Sequence, residues 1–291
     1  MEIFWRTSLE EIYQNFLINL QFMSDRCELC DVSFAQGRTP NYESIAQQNL
    51  YLLRYFSAYL FEYHLAYQKL QEARFLDGAP RITSLGCGSG IDGAAAKFVF
   101  DDYSYRGIDR VRWGKWFAKE PPCIGDAGAF TPIHDNVFVF PKSLGELPDW
   151  VVDALACNLP RTSAKKVCII NSRRKETASD GPACTKILQG FSSAGPIKYA
   201  QIQIRQQGNE KTGFKSDKFW FNYPPEIKQT ILSLAQTCPS RPQCPQGVSA
   251  DAPCRRLGSN KLCWNGGVPM QWNPVLSDCN FCTDIYLIDR T

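Results

Sequence analysis

The chain has 291 residues, 44% apolar and 21% charged, which excludes a disordered, collagenous or coiled-coil protein and leaves room for a sizeable core. Its net charge of +3 is too small to imply a nucleic-acid partner by electrostatics alone. Apolar runs such as Val137 to Pro141 are far shorter than a membrane span needs, so no membrane partner is expected. The opening residues, Met1 to Arg6, lack the basic and apolar regions of a secretory leader. A cytoplasmic chain with reduced thiols is therefore expected.

Residues 1–79 read as a helical cap. Leu9 to Met23 places Ile12, Phe16, Ile18, Leu20 and Phe22 in a mostly apolar helix. From Glu43 to Phe75 there is neither Pro nor Gly, and Leu53, Phe56, Leu60, Tyr63, Tyr67 and Leu70 recur at helical spacing. The tyrosines 51, 55, 59, 63 and 67 make either a stacking platform or, as the favoured reading, core with phenol oxygens at its rim.

Residues 80–225 alternate strand-like and helix-like segments. Strands are predicted at Arg81 to Leu85, Ser104 to Ile108, Pro122 to Ile124, Asn136 to Phe140, Lys166 to Ile170 and Tyr199 to Arg205. Helices are predicted at Asp92 to Phe100 and Leu147 to Cys157. This pattern implies an α/β, Rossmann-like, mostly parallel sheet with helices on both faces and ligands at the strands' carboxyl ends. Residues 226–291 read as a helix from about Pro225 to Ala235, a cysteine-rich insertion and a closing strand, Asp284 to Asp289.

The most informative segment is Ile82 to Asp92, an apolar strand running into Gly86-Cys87-Gly88-Ser89-Gly90 and then an alanine-rich helix. Glycines at alternate positions permit positive φ and close approach of a ligand to the backbone. A helix start offers free N–H groups to an anion or carboxylate. The spacing is G-x-G-x-G, not the G-x-G-x-x-G of dinucleotide sites, since position 91 is Ile. Asp109 ends the next strand, where a carboxylate accepts hydrogen bonds from ribose hydroxyls. Asp126 follows the third strand in Gly125-Asp126-Ala127.

These residues, with Asn136 to Phe140 as a fourth strand, resemble the S-adenosylmethionine (SAM) motifs of class I methyltransferases over about residues 80 to 205. The resemblance implies SAM as cofactor, with Gly86, Cys87, Gly88 and Gly90 at the methionine part, Asp109 at the ribose and Asp126 at the adenine amino group. It also implies that the strand ending at Phe140 runs beside the reactive methyl. The position before the loop, commonly acidic in that family, is Ser84 here, and Asp92 beyond the loop is a substitute for it.

The segment Phe140 to Leu147 lacks the signatures of amine, cytosine-carbon and ribose-oxygen methylation. Lys142, to orient an anionic substrate, and Glu146, to take a proton, are the catalytic candidates; the plain alternative is a solvated lysine and a helix cap. Arg110 to Lys119 interleaves cations with Trp113, Trp116 and Phe117, which suits either phosphates and bases or packing under the sheet. A small-molecule acceptor is favoured, an RNA or protein acceptor is the rival, and a SAM-fold module that binds a partner without catalysis is the third reading.

Of thirteen cysteines, Cys27-x2-Cys30 and Cys279-x2-Cys282 make a four-thiolate structural zinc site if they meet. Cys238, Cys244, Cys254 and Cys263 are the alternative set, and buried or reduced free thiols the plain one.

Overall fold

The computed structural model describes residues 1–22, 42–173, 180–207 and 280–290, with a few more between 214 and 229. The chain divides into two units, residues 1–58 with 208–278 and residues 59–207 with 279–291.

In the first unit, α1 (Glu2–Phe22) buries Trp5, Leu9, Ile12, Phe16 and Leu20, one stripe at spacings of three and four. The Trp5 indole donates to Ser57 Oγ at 2.8 Å, and the Phe4 and Phe56 rings are 6.4 Å apart. Ile18 and Phe22 lie in this helix as expected, but off the buried stripe, and are exposed. A two-residue ladder pairs Phe214 and Lys215 with Phe221 and Trp220. Helix α2 (Ile45–Ala73) begins in this unit, and its residues from Tyr59 onward belong to the second. Tyr55, Tyr59, Tyr63 and Tyr67 are buried and Tyr51 is half-buried, so the stripe is core, but the Tyr63 and Tyr67 phenol oxygens lie inside it and not at its rim.

The second unit is built on a seven-stranded sheet: β1 (Arg81–Leu85), β2 (Ser104–Asp109), β3 (Cys123–Ile124), β4 (Val137–Pro141), β5 (Lys166–Arg173), β6 (Lys198–Gln207) and β7 (Asn280–Asp289). Its order is β3-β2-β1-β4-β5-β7-β6. The β1–β2, β2–β3, β1–β4 and β4–β5 pairs are parallel, and β7 is antiparallel to both β5 and β6. This is the mostly parallel, Rossmann-like sheet that the alternating pattern implies. Strand order reverses direction between β1 and β4, the switch point where such sheets open a ligand crevice.

Alternation along the strands explains the two faces. Phe138, Phe140, Val167 and Ile169 join Val151, Val152 and Leu155 of α4 (Asp149–Asn158) and Ile187 and Phe191 of α5 (Asp180–Ala194) in one core. On the opposite face, Val139, Cys168 and Ile170 are fully buried, Tyr67 of α2 meets Phe100 with ring centroids 5.5 Å apart, and α3 (Ile91–Ala96) is buried along its whole length. α3 is shorter than its sequence suggests, since Phe98 and Val99 bond back to Ala95 and Ala96 in tighter turns.

Two cysteine expectations fall largely outside the described residues: Cys27, Cys30, Cys279, Cys238, Cys244, Cys254 and Cys263 all do. Cys282 lies in β7 and is buried. Among the described residues no three His, Cys, Asp or Glu side chains are grouped to hold a metal, and Cys87, Cys123, Cys157, Cys168, Cys184 and Cys282 are free thiols. No described helix is long and apolar enough to cross a membrane. The helix expected from Pro225 to Ala235 falls mostly outside the described residues.

Candidate functional site

The carboxyl end of β1 passes directly into the glycine loop. Gly86, Gly88 and Gly90 have φ of +70°, +57° and +73°, the left-handed region that L side chains rarely enter. Two of the three are also sterically closed. A Cβ on Gly86 would stand 2.6 Å from Ser143 Cβ, and one on Gly90 would stand 2.9 Å from the Trp116 ring. At Gly88 a Cβ would make ordinary contact, 3.5 Å from Trp113. The Gly86 and Cys87 amides donate to the Ile108 carbonyl at 2.8 and 3.2 Å, and the Gly90 amide to the Cys87 carbonyl at 3.0 Å.

Asp109 ends β2 beside this loop. Its Oδ2 accepts the Gly88 amide at 2.7 Å and its Oδ1 the Val111 amide at 2.9 Å. Burial pushes its pKa up, while the Val111 and Gly88 amides pull it back. A carboxylate has about four lone-pair sites, so Asp109 keeps acceptor capacity for a ribose hydroxyl. Asp126 is committed differently: its Oδ1 accepts the Gly128 amide at 2.8 Å and caps a one-turn helix, Ala127–Ala129.

Cys87 is buried, and its thiol is pushed up by desolvation and by the Asp109 and Asp92 carboxylates, so it stays protonated. Asp92, in the first turn of α3, is 1% exposed and accepts the Tyr105 phenol at 2.9 Å. Desolvation raises its pKa to about 6, against the opposing pull of the Ser84 and Tyr105 hydroxyls. It is turned into the interior and is not presented at the loop surface.

The aromatics of the 110–119 run are packing. The Trp113 ring lies over Gly88, Trp116 lies against Gly90 and Gly107 and donates to the Glu120 carbonyl, and Phe117 is buried. The Phe117 amide donates to the Ser89 carbonyl at 3.0 Å, tying this segment to the glycine loop. Arg110, Arg112 and Lys119 are exposed.

At the end of β4, Phe140 is fully buried in the core against α4 and α5, so its side chain is part of the sheet's support. Ser143 does not cap the turn that follows it. Its hydroxyl donates to the Leu85 carbonyl at 2.6 Å and pins the β4 end to the β1 end. Glu146 is exposed on that turn. Lys142 adopts φ +62°, unusual for a residue with a side chain. It is not solvated: its ammonium is 2.9 and 2.8 Å from the two oxygens of Glu62 on α2, and it lies 5.5 Å from the centroid of the Tyr59 ring.

Glu62 is the residue that sequence reading missed. Its side chain is completely buried, and Oε1 also accepts from Ser172 Oγ at 2.8 Å and Thr283 Oγ1 at 2.6 Å. The charge therefore ties α2 to the carboxyl ends of β4 and β5 and to β7. The available signal was a single carboxylate within the otherwise aromatic run Tyr59-Leu60-Phe61-Glu62-Tyr63.

The groups present suit a nucleoside with an amino-acid tail. Three left-handed glycines bring backbone close, Ser89 Oγ is buried in the loop with no hydrogen-bond partner among the described residues, and Asp109 keeps acceptor capacity.

No family model and no curated protein matches the sequence. Among solved structures, the plantazolicin methyltransferase BpumL in complex with SAH is 14% identical, with a TM-score of 0.42 over 95% of this chain and 99% of that one. A TehB-like SAM-dependent methyltransferase from Corynebacterium glutamicum is also 14% identical, with a TM-score of 0.32 over 46% of this chain and 73% of that one. Strand order and loop position identify the fold without those scores: a glycine loop after β1, a carboxylate ending β2, and an antiparallel strand inserted between β5 and β6.

Proposed function

We propose that this chain, which has the Rossmann-like fold of class I SAM-dependent methyltransferases, transfers a methyl group from SAM to a small-molecule acceptor. The observation that carries the reading is the joint between Asp109 and the glycine loop: a carboxylate at the end of β2 holds the Gly88 amide while keeping lone pairs for a ligand.

SAM supplies an electrophilic methyl group when bound. The chain's own residues bind and orient. Gly86, Gly88 and Gly90 expose backbone to the methionine part, Asp109 accepts the ribose hydroxyls, and Asp126 stands at the adenine end. The Glu62–Lys142 pair is fixed in the interior, with three donors on one Glu62 oxygen. It acts as a positioning device for the turn after β4. Glu146, exposed on that turn, is the carboxylate assigned to accept the acceptor's proton. A small acceptor is favoured over RNA because Trp116 packs against Gly90 and Gly107 and Phe117 is buried, so these rings serve the fold.

The test is transfer of isotopic methyl from SAM into fractionated cell extract. Label in the small-molecule fraction, lost in Glu146→Gln, supports the reading. Label in RNA or protein moves the acceptor to the rival class. No label in any fraction, with SAH binding intact, indicates a module that binds without catalysing.

A further inference from the structure

We propose that the amino-terminal end of the same sheet carries a second ligand site, for a small phosphorylated molecule held through its phosphate. A cleft of about 560 Å³ opens there, lined among others by Asp77, Arg81, His134, Ser163, Lys165 and Lys166. Arg81 begins β1 and Lys166 begins β5, whereas the glycine loop follows the last residue of β1. The two sites are therefore separated by about one strand length, ~16 Å for five residues. Nothing in the methyl-transfer reading uses this cleft.

Its charges are unevenly matched. Lys166 is paired with Asp77 at 2.8 Å and also feels Asp289. Arg81 and Lys165 have no ion-pair partner among the described residues. Two unpaired cations on the rim of one concave surface attract an anion. The guanidinium of Arg81 adds the planar fork that fits phosphate oxygens, and Lys165 adds a point charge.

The floor is fixed before any ligand arrives. Asn136 accepts the Arg81 amide at 2.7 Å and donates to the Ala79 carbonyl at 3.5 Å, so its amide holds the start of β1. The His134 Nδ1 is 2.7 Å from Ser163 Oγ, which sets the ring plane and leaves Nε2 on the other edge. An arginine, a lysine, an oriented imidazole and a serine hydroxyl together suit a phosphate monoester better than a carboxylate, which has fewer acceptor oxygens to occupy them.

The experiment is calorimetric titration of inorganic phosphate and of ribose 5-phosphate into the full chain at low salt. The same titrations are run on Arg81→Gln and Lys165→Gln, each checked by circular dichroism. The proposal expects saturable binding tighter than about 1 mM. Each substitution should weaken it by roughly fivefold or more, as loss of one partly exposed charge contact implies. The His134 ring resonances should move on binding, and saturating SAH should leave the affinity unchanged. Tighter binding of the sugar phosphate would assign the site to an organic ester, and equal binding would assign it to the phosphate group alone. Absence of saturation with either ligand, or affinities that the two substitutions leave unaltered, would overturn it.

Discussion

The two ends of the sheet handle charge in opposite ways. At the carboxyl end, Glu62 and Lys142 have side chains 0% and 6% exposed, and Glu62 takes three hydrogen bonds on one oxygen. At the amino end, Lys166 and Asp77 are 31% and 71% exposed, and Arg81 and Lys165 line an open cleft. A buried pair is coupled to the fold, because removing one member strands the other in a low dielectric. An exposed pair is coupled mainly to solvent and to whatever binds. Where a charge sits therefore decides whether its loss is read as stability or as ligand affinity.

The strongest way to break the comparison is Glu62→Gln, which leaves the Lys142 ammonium buried without its counter-charge. Chemical denaturation should show a loss of about 3–5 kcal/mol. Glu62→Leu combined with Lys142→Met should recover most of that loss. If the single substitution is nearly silent, the pair is not the clamp described.

Next come the loop glycines. Gly90→Ala forces a side chain into positive φ and against Trp116, and should cost about 2–4 kcal/mol, from left-handed strain plus overpacking. Gly88→Ala has the strain without the clash and should cost about 1–2 kcal/mol. Equal losses at the two positions would contradict the packing of Trp116 on the loop.

Asp92 gives a pH test of burial. Its folded pKa of about 6 stands above the 3.8 of an unperturbed aspartate, so the folded chain binds the proton more tightly than the unfolded chain. The ionised group therefore opposes folding at neutral pH. Wild-type stability should rise as pH falls from about 7 through 6 and level off near 4. Asp92→Asn should be up to about 3 kcal/mol more stable at pH 7 and should lose that part of the pH dependence. Denaturation curves at several pH values check the sign. The smallest effect belongs to the other end of the sheet: Asp77→Asn should leave the unfolding midpoint unchanged, because the Asp77 carboxylate is largely solvated.

Much of this architecture was legible in the residues. Alternating apolar strands, the glycine loop and Asp109 are local patterns, and each forms where expected. Local pattern fails where a side chain's partner is distant in sequence. Glu62 meets Ser172 and Thr283 across separations of 110 and 221 residues, which no spacing rule encodes. The same reason explains Lys142, which reads as a substrate-orienting or solvated lysine and instead pairs with Glu62 of α2. Trp113 and Trp116 read as a basic-aromatic run, yet their neighbours are the small surfaces of Gly88 and Gly90. Ser143 precedes the turn after β4 where a cap would sit, yet its hydroxyl donates to the Leu85 carbonyl of a neighbouring strand.

The central claim is that the carboxyl end of the sheet binds SAM through the Asp109–glycine-loop joint. Its most direct test is calorimetric titration of S-adenosylhomocysteine into the wild-type chain and into Asp109→Ala, with folding of both verified. The account predicts micromolar binding by the wild type and a loss of roughly 1–3 kcal/mol in the variant, the value of a hydrogen bond to a charged group. A well-folded wild type that does not bind, or a variant that binds as tightly, would contradict it.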